Sequence, residues 1–166
     1  MAQPKVLIVM GSDSDFDQLE PAWKILSELG VECDVRVASA HRTPDTVHEL
    51  ATTARAKGFG VVLAAAGGAA HLAGVFAANT TLPVVAMPIA NGTLGGMDAL
   101  LSSVQMPPGI PIASVGIAGA RNAGLFAAAI LAAAGGPIAD ALASYREQMK
   151  ERVTKADQRV REQLTS

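Results

Sequence analysis

Short apolar runs alternate along this chain with stretches in which apolar residues recur every three or four positions. Runs at 6–10, 61–63, 83–88 and 110–117 each predict a β-strand. A fifth strand is predicted over 31–37, where apolar and polar residues alternate, as suits a strand nearer the sheet edge. The stretches between them predict helices, such as the one whose apolar positions are Leu19, Trp23, Leu26 and Leu29. Strands separated by helices indicate βαβ units, which build an α/β fold with a central parallel sheet and helices on both faces.

The ends of several helices can be predicted from residues that favour capping or termination. Asp13 or Ser14 can cap the first helix, and Gly30 ends it. Thr43 suits the N-cap of the second helix, with Pro44 at the first helical position, and Gly58 ends that helix. Further helices are expected over 72–79, 94–104 and 122–134.

The last thirty or so residues form a different, more polar segment. Its apolar residues step by three or four positions, which predicts one amphipathic helix over 137–164, about seven turns long. We expect a single domain spanning 1–166, in which an α/β core at 5–134 is followed by this helix. So long a helix would overhang the core and pack on a neighbouring subunit; a helix lying on its own domain with a frayed end is the alternative. The apolar residues are Ile138, Leu142, Tyr145, Met149, Val153, Ala156, Val160 and Leu164.

Composition narrows the class of protein further. Half of the 166 residues are hydrophobic, which excludes a disordered chain. The net charge of −2 and the 4% aromatic content argue against a nucleic-acid partner or an anionic membrane surface. The only cysteine, Cys33, rules out a disulfide framework and fits a reducing compartment. Because Met1–Lys5 leads directly into the first strand, we expect no targeting segment and a cytoplasmic location.

Polar and glycine-rich clusters follow the first three predicted strands. They are Gly11–Asp15, Ser39–Arg42 and Gly67–His71. Ligands of parallel α/β sheets bind beyond the carboxyl ends of the strands, and these clusters all fall at that edge. The sequence therefore predicts one binding site there.

The first cluster, Gly11-Ser12-Asp13-Ser14-Asp15, offers backbone N–H groups and hydroxyls at the start of a helix. Such a turn suits an anionic or hydroxyl-bearing ligand, and Asp15 could accept hydrogen bonds from ribose hydroxyls. It matches neither the Walker A loop nor the dinucleotide-binding fingerprint. A plain capping turn is an equal alternative at this point.

Two histidines are the candidate proton carriers. His41 can donate and accept a proton near neutral pH, and Arg42 beside it can bind phosphate or carboxylate. His71 follows small residues that let a ligand approach the backbone closely. The structural alternatives are a His-Arg cap contact and a helix-terminal histidine bonded to a carbonyl. The third histidine, His48, is expected mid-helix on the surface.

Several chemistries lack their residues. Three histidines, one cysteine and no carboxylate cluster make a transition-metal site improbable, and no lysine lies in the three turns for Schiff-base chemistry. We expect no cofactor. A non-catalytic module that binds a nucleotide or flavin is an alternative. A flavin ring usually stacks on Trp or Tyr, but Trp23 and Tyr145 are assigned to helices away from the site. A receiver domain would need an Asp after the third strand, where Ala64-Ala65-Ala66 stands.

Four segments together resemble the N5-carboxyaminoimidazole ribonucleotide mutase family, also called the catalytic-subunit family of phosphoribosylaminoimidazole carboxylase. The resemblance runs in order from about Lys5 to Ala134. The segments are Met10-Gly11-Ser12-Asp13-Ser14-Asp15, Ser39-Ala40-His41-Arg42-Thr43-Pro44, Gly67-Gly68-Ala69-Ala70-His71-Leu72 and Ser103-Val104-Gln105-Met106-Pro107-Pro108-Gly109-Ile110-Pro111.

The resemblance implies a three-layer α/β/α flavodoxin-like domain, assembled as a homo-octamer through the C-terminal helix. It implies an isomerase of purine biosynthesis that moves a carboxylate from the exocyclic nitrogen to the ring carbon of aminoimidazole ribonucleotide, without metal, biotin or ATP. Ser12, Asp15 and Arg42 fall on the family's nucleotide contacts, and His41 and His71 on its site histidines. The expected substrate-binding set also includes Gly11, Ser14, Ser39, Ala40, Gly67, Gly68, Ala69, Ala70 and Leu72.

Two features depart from the bacterial mutase pattern. Ala73 stands where those mutases carry proline, and the segment Gly116–Asn122 is shorter and contains the additional Arg121. A second branch of the family fixes free CO2 directly on aminoimidazole ribonucleotide and is the alternative function. Ala70-His71-Leu72 resembles the mutase branch, and we therefore expect a mutase.

Overall fold

The structure, a computed structural model, describes residues 4–165. The segment Met1–Lys5, which we expect to lead directly into the first strand, includes residues 1–3, and these lie outside the described residues. Both ends of the expected domain 1–166 also lie outside them. Within these residues, five strands alternate with five helices, and a sixth helix ends the chain. Short 3-10 turns lie at Asp13–Asp15 and Ala132–Ala134. The strands are β1 Lys5–Met10, β2 Cys33–Val37, β3 Phe59–Ala66, β4 Val84–Pro88 and β5 Ala113–Ser114. The helices are α1 Phe16–Glu28, α2 Pro44–Thr53, α3 Leu72–Asn79, α4 Met97–Val104, α5 Ala120–Leu131 and α6 Pro137–Thr165.

All strand pairs are parallel, and the strand order is β2-β1-β3-β4-β5. This is the flavodoxin-like order, as the resemblance implied. The central strands β1 and β3 consist almost entirely of buried apolar residues, because both of their faces are covered. The alternating β2 lies at the sheet edge, as its pattern predicted.

Two hydrophobic cores lie on opposite faces of the sheet and make the three layers. On one face, α1 and α5 cover alternate strand residues such as Ile8 and Leu63. On the other face, α2 and α3 cover their neighbours, including Leu7, and Phe76 is completely buried there. The α1–α5 contact is close: a Cβ on Gly124 would come within 2.6 Å of the Ile25 side chain. Small residues in α5 therefore let the two helices approach.

Several predicted boundaries were wrong. The helix expected over 122–134 begins at Ala120 and ends at Leu131, where a 3-10 turn follows. The strand expected over 110–117 pairs only at Ala113–Ser114, because Pro111 has no N–H to donate and the chain turns away at Gly116. The helix expected from residue 94 begins at Met97, after glycines at 95 and 96 with positive φ. Strand β3 is longer than the predicted 61–63, since it pairs with β1 and β4 on its two sides.

Two details of α1 also differ from the prediction. The N-cap position of α1 is Asp15, which makes no side-chain cap bond, and not Asp13 or Ser14. The Ser12 hydroxyl instead caps the preceding 3-10 turn, where it accepts a hydrogen bond from the Ser14 N–H. Trp23 was assigned to the apolar side, but it is 39% exposed. The buried face of α1 consists instead of Leu19, Ala22, Ile25 and Leu26.

The C-terminal helix α6 has 29 residues, and its two halves differ in burial. Near its start Ile138 is buried, and Leu142 and Tyr145 pack on the core formed by α1 and α5. Beyond Met149 the apolar positions face outward, with Val153 70% and Leu164 82% exposed. The helix is confirmed, whereas its packing on a neighbouring subunit stays a prediction.

Candidate functional site

A pocket of about 350 Å³ opens at the carboxyl edge of the sheet, between the turns that follow β1, β2 and β3. The three polar clusters of the sequence meet here, because the carboxyl ends of parallel strands share one edge. The lining residues are Gly11, Ser12, Ser14, Asp15, Ser39, Ala40, His41, Arg42, Ala66, Gly67, Ala69, His71, Leu72 and Asn91.

The turn after β1 carries two serines and a buried carboxyl. The Ser14 hydroxyl donates to the Ser12 hydroxyl over 2.9 Å, which holds both side chains at the pocket. Asp15 is 8% exposed, and its burial raises the pKa of the carboxyl above the ordinary value of 3.8. A backbone hydrogen bond with Ser12 and the charge of Arg42 lower this pKa in part, without cancelling the effect of burial.

The turn after β2 positions Arg42 against the first turn. Arg42 Nη2 donates to the Gly11 carbonyl over 2.8 Å, and the Arg42 backbone N–H donates to Ser39 Oγ. The Thr43 hydroxyl accepts from the Ser39 N–H and donates to the Ser39 carbonyl. Thr43 lies at the N-cap position of α2, as predicted. Its side chain bonds to Ser39 in the turn after β2 and makes no cap bond to α2. Arg42 joins the turns of β1 and β2 and retains further N–H groups for an anion.

The two candidate histidines contact each other. His41 Nε2 and His71 Nδ1 are 2.8 Å apart, and the rings meet edge to face with centroids at 4.8 Å. A hydrogen bond needs one donor and one acceptor nitrogen. While this bond persists, only one of the two facing nitrogens therefore carries a proton. His71 stands at the N-cap position of α3, and its recorded side-chain bond runs to His41 and to no carbonyl. The pair can hold a mobile proton inside the pocket.

Twelve of the fourteen residues predicted for the site line this one pocket. The exceptions are Gly68 and Ala70. Gly68 adopts a positive φ of 61°, which turns the chain, and Ala70 is buried with its N–H donating to the Ser102 hydroxyl. Both shape the turn without lining the pocket. His48, expected on the surface, is exposed on α2 and pairs with the Asn79 side chain.

Two further residues, Ala66 and Asn91, line the pocket without having been predicted from the sequence. Asn91 follows β4, which is a fourth strand end at the same edge of the sheet. A Cβ on Gly67 would come within 2.3 Å of Asn91 Nδ2, so the absence of a side chain at 67 makes room for that amide. The signal was available: Ala90-Asn91-Gly92 is another polar turn after an apolar strand.

A larger groove of about 840 Å³ lies elsewhere, beside the end of α3 and residues 109–111. Its only ionisable lining residue is Arg55, whose guanidinium already donates to the Thr81 hydroxyl. The smaller pocket, which is lined by Asp15, Arg42 and the two histidines, is therefore the better candidate for a catalytic site. Across residues 4–165, no group of three His, Cys, Asp or Glu side chains is arranged to hold a metal ion. Within the same residues, none of the helices has the length and apolarity required to cross a bilayer.

Comparison with known proteins shows the family to which the chain belongs. The sequence model of the AIR carboxylase family matches residues 5–152. The chain belongs to the AIR carboxylase family. It is 53% identical over 153 residues to the N5-carboxyaminoimidazole ribonucleotide mutase of Bacillus subtilis, covering 91% of this chain and 94% of that protein. It is 52% identical over 150 residues to the mutase of the same name from Pyrococcus abyssi, covering 90% of this chain and 86% of that protein.

The fold of this AIR carboxylase family member is shared by a solved structure. The crystal structure of Treponema denticola PurE superimposes with a TM-score of 0.86 at 30% identity, covering 94% of this chain and 98% of that one. The match includes the flavodoxin-like core, so the fold expected from the motifs is confirmed. The additional Arg121 donates to the Tyr145 hydroxyl and pairs with Glu28. It thus ties α5 to α6 and α1, and it is not among the residues that line the pocket.

Proposed function

We propose that this chain catalyses the interconversion of N5-carboxyaminoimidazole ribonucleotide and 4-carboxy-5-aminoimidazole ribonucleotide in purine biosynthesis. It would be an isomerase that needs no cofactor. The observation that carries the proposal is the His41–His71 pair, 2.8 Å apart in the same pocket as Arg42, in a chain about half identical to named mutases.

The reaction needs one proton that is first given and then taken back. When the carbamate loses CO2, the exocyclic nitrogen must gain a proton. When the ring carbon then bonds to CO2, that carbon loses one. His41 as an imidazolium donates the first proton and, once neutral, accepts the second, so that protons balance over the cycle. His71, bonded to His41, orients the ring and can share the proton between the two steps.

The nucleotide would lie across the strand ends. Arg42, with N–H groups beyond the bond to Gly11, suits the phosphate, and the hydroxyls of Ser12 and Ser14 add donors beside it. Asp15 can accept from ribose hydroxyls. Small residues on the β3 side, such as Gly67 and Ala69, leave an apolar wall that would retain CO2 between the two steps.

The assembly and location belong to the same proposal. Leu94, Met97, Leu101 and Val104 are each about half exposed or more, at helical spacing in and before α4, and the second half of α6 is similarly uncovered. Surfaces of this kind fit burial between copies in a homo-octamer. A location in the cytoplasm agrees with the single free thiol of Cys33 and with the role in purine synthesis.

The test is to supply each carboxyl donor separately to the purified chain. We expect N5-carboxyaminoimidazole ribonucleotide to be converted to the 4-carboxy product without ATP, and with no loss of rate in a chelator. Aminoimidazole ribonucleotide with bicarbonate should give far slower turnover. Conversion with bicarbonate alone would contradict the mutase assignment and indicate direct carboxylation, while inactivity with both donors would contradict the proposed function.

A further inference from the structure

The loop after β4 is held to α1 by one side chain. The Ala90 N–H donates to Gln18 Oε1 over 2.9 Å, and Gln18 Nε2 donates to the Ala90 carbonyl over 3.2 Å. An amide that pairs with both backbone groups of one residue fixes its orientation as well as its position. The two partners are 72 residues apart in sequence, so this contact sets where the loop enters the pocket edge.

The residue after this clasp is Asn91. Its amide lies against Gly67 and lines the pocket together with His41 and His71. Among residues 4–165, the structure records no hydrogen bond made by the Asn91 side chain. A polar group that the fold brings into the pocket, and that the fold itself leaves unbonded, is available to a ligand.

The strand order gives this amide a defined place along the pocket. Arg42 follows β2 and Asn91 follows β4, with β1 and β3 between them, so the two ends lie about 14 Å apart at the usual strand spacing. A nucleotide whose phosphate is at Arg42 presents its imidazole end toward Asn91. In the proposed reaction that end carries a carboxylate in both substrate and product, and a carboxylate requires hydrogen-bond donors.

We propose that Asn91 contacts the substrate, with its amide donating a hydrogen bond to the transferring carboxylate, and that Gln18 is the residue that positions it. The inference rests on the proposed function and extends it to two residues outside the four motifs. Gln18 makes no contact with the reacting atoms; it acts only by holding Ala90, and through Ala90 the adjacent Asn91.

The experiment compares kcat, KM and the melting temperature across a matched set of variants. Asn91→Ala should lower kcat/KM about 10–100-fold, the usual range for removing a hydrogen bond to a charged group. Asn91→Asp should lower it further, because a second carboxylate repels the substrate. Lys24→Ala, on an exposed part of the same helix where Lys24 pairs with Glu20, should behave as the unsubstituted chain.

The positioning role is tested by a double-mutant cycle. Gln18→Ala alone should lower kcat/KM about 3–10-fold, and the Gln18→Ala/Asn91→Ala double variant should be no worse than Asn91→Ala. Gln18→Glu keeps the bond from the Ala90 N–H but loses the donor, so it should fall between Gln18→Ala and the unsubstituted chain. If Gln18→Ala lowers the melting temperature, Gln18→Glu takes its place in the cycle with Asn91→Ala.

The outcomes separate the two hypotheses. If the unsubstituted chain turns over neither donor, the proposed function fails and this inference falls with it. If the unsubstituted chain is an active mutase but Asn91→Asp matches Lys24→Ala, Asn91 does not contact the substrate. Full additivity of Gln18→Ala and Asn91→Ala would show that Gln18 does not act through Asn91.

Discussion

The pocket at the strand ends and the second half of α6 differ in what completes them. In the pocket, one turn bonds to the next within the chain: Arg42 bonds to Gly11, and His41 to His71. In α6 beyond Met149, the large apolar residues Val153, Val160 and Leu164 are exposed by 70%, 55% and 82%. The contrast separates a pocket whose turns are bonded to one another from a helix end whose apolar residues are exposed, which we propose another copy of the chain covers.

The largest expected effect is on the pocket side of this comparison. His41→Asn keeps a hydrogen-bonding side chain but removes the transferable proton, so we expect kcat to fall about 10²–10⁴-fold, or roughly 3–5 kcal/mol of barrier. Nucleotide affinity should change far less, because it is assigned to Ser12, Asp15 and Arg42. Steady-state turnover and direct binding of the product nucleotide measure the two effects separately.

Arg42→Ala is the matched control, since it should weaken binding first. His71→Asn should lower kcat less than His41→Asn, because His71 acts on the His41 ring through one hydrogen bond. If His41→Asn kept near-normal turnover while His71→Asn abolished it, the two roles would have to be exchanged.

The difference between the two regions also explains what could be predicted from the sequence. The buried strands and the turn after each were visible because apolar runs and polar clusters are local patterns, and this was enough to gather residues as distant as Ser12 and His71. The turn Ala90-Asn91-Gly92 after β4 is a local pattern of the same kind and was overlooked. The sequence could not show that β4 lies beside β3 or that Gln18 holds Ala90, because both are contacts between distant segments. The helical period of α6 was equally clear, but a period predicts a helix without showing what covers it.

A middle-sized effect is expected from shortening α6 in two steps. Removing 151–166 deletes the uncovered half while leaving Ile138 and Leu142 on the core, so it should lower the assembled mass in light scattering. Removing 137–166 also exposes the surface that Ile138 buries, which should cost about 1.5–3 kcal/mol of unfolding free energy for that side chain alone.

Point variants test the same half-helix without shortening it. Val153→Asp should reduce assembly, whereas Thr154→Asp adds the same charge at an exposed polar position and should not. Full assembled mass after removal of 151–166 would show that this part of α6 covers no other copy.

The smallest expected effect concerns the buried carboxyl of Asp15. Burial raises its pKa in the folded chain above 3.8, so the folded state holds the proton more tightly than the unfolded state. The ionised carboxyl therefore opposes folding, and its penalty grows as pH rises from about 4 through the raised pKa. Asp15→Asn should remove this part of the pH dependence and raise the unfolding free energy slightly at neutral pH, only slightly because Ser12 and Arg42 already offset part of the cost. Asp17→Asn, at an exposed position in the first turn of α1, is the control. Denaturant unfolding across this pH range measures the effect.

An unchanged pH slope in Asp15→Asn would mean that the carboxyl is well solvated. Weaker nucleotide binding alongside greater stability would show that the chain keeps a costly charge at this edge for its ligand.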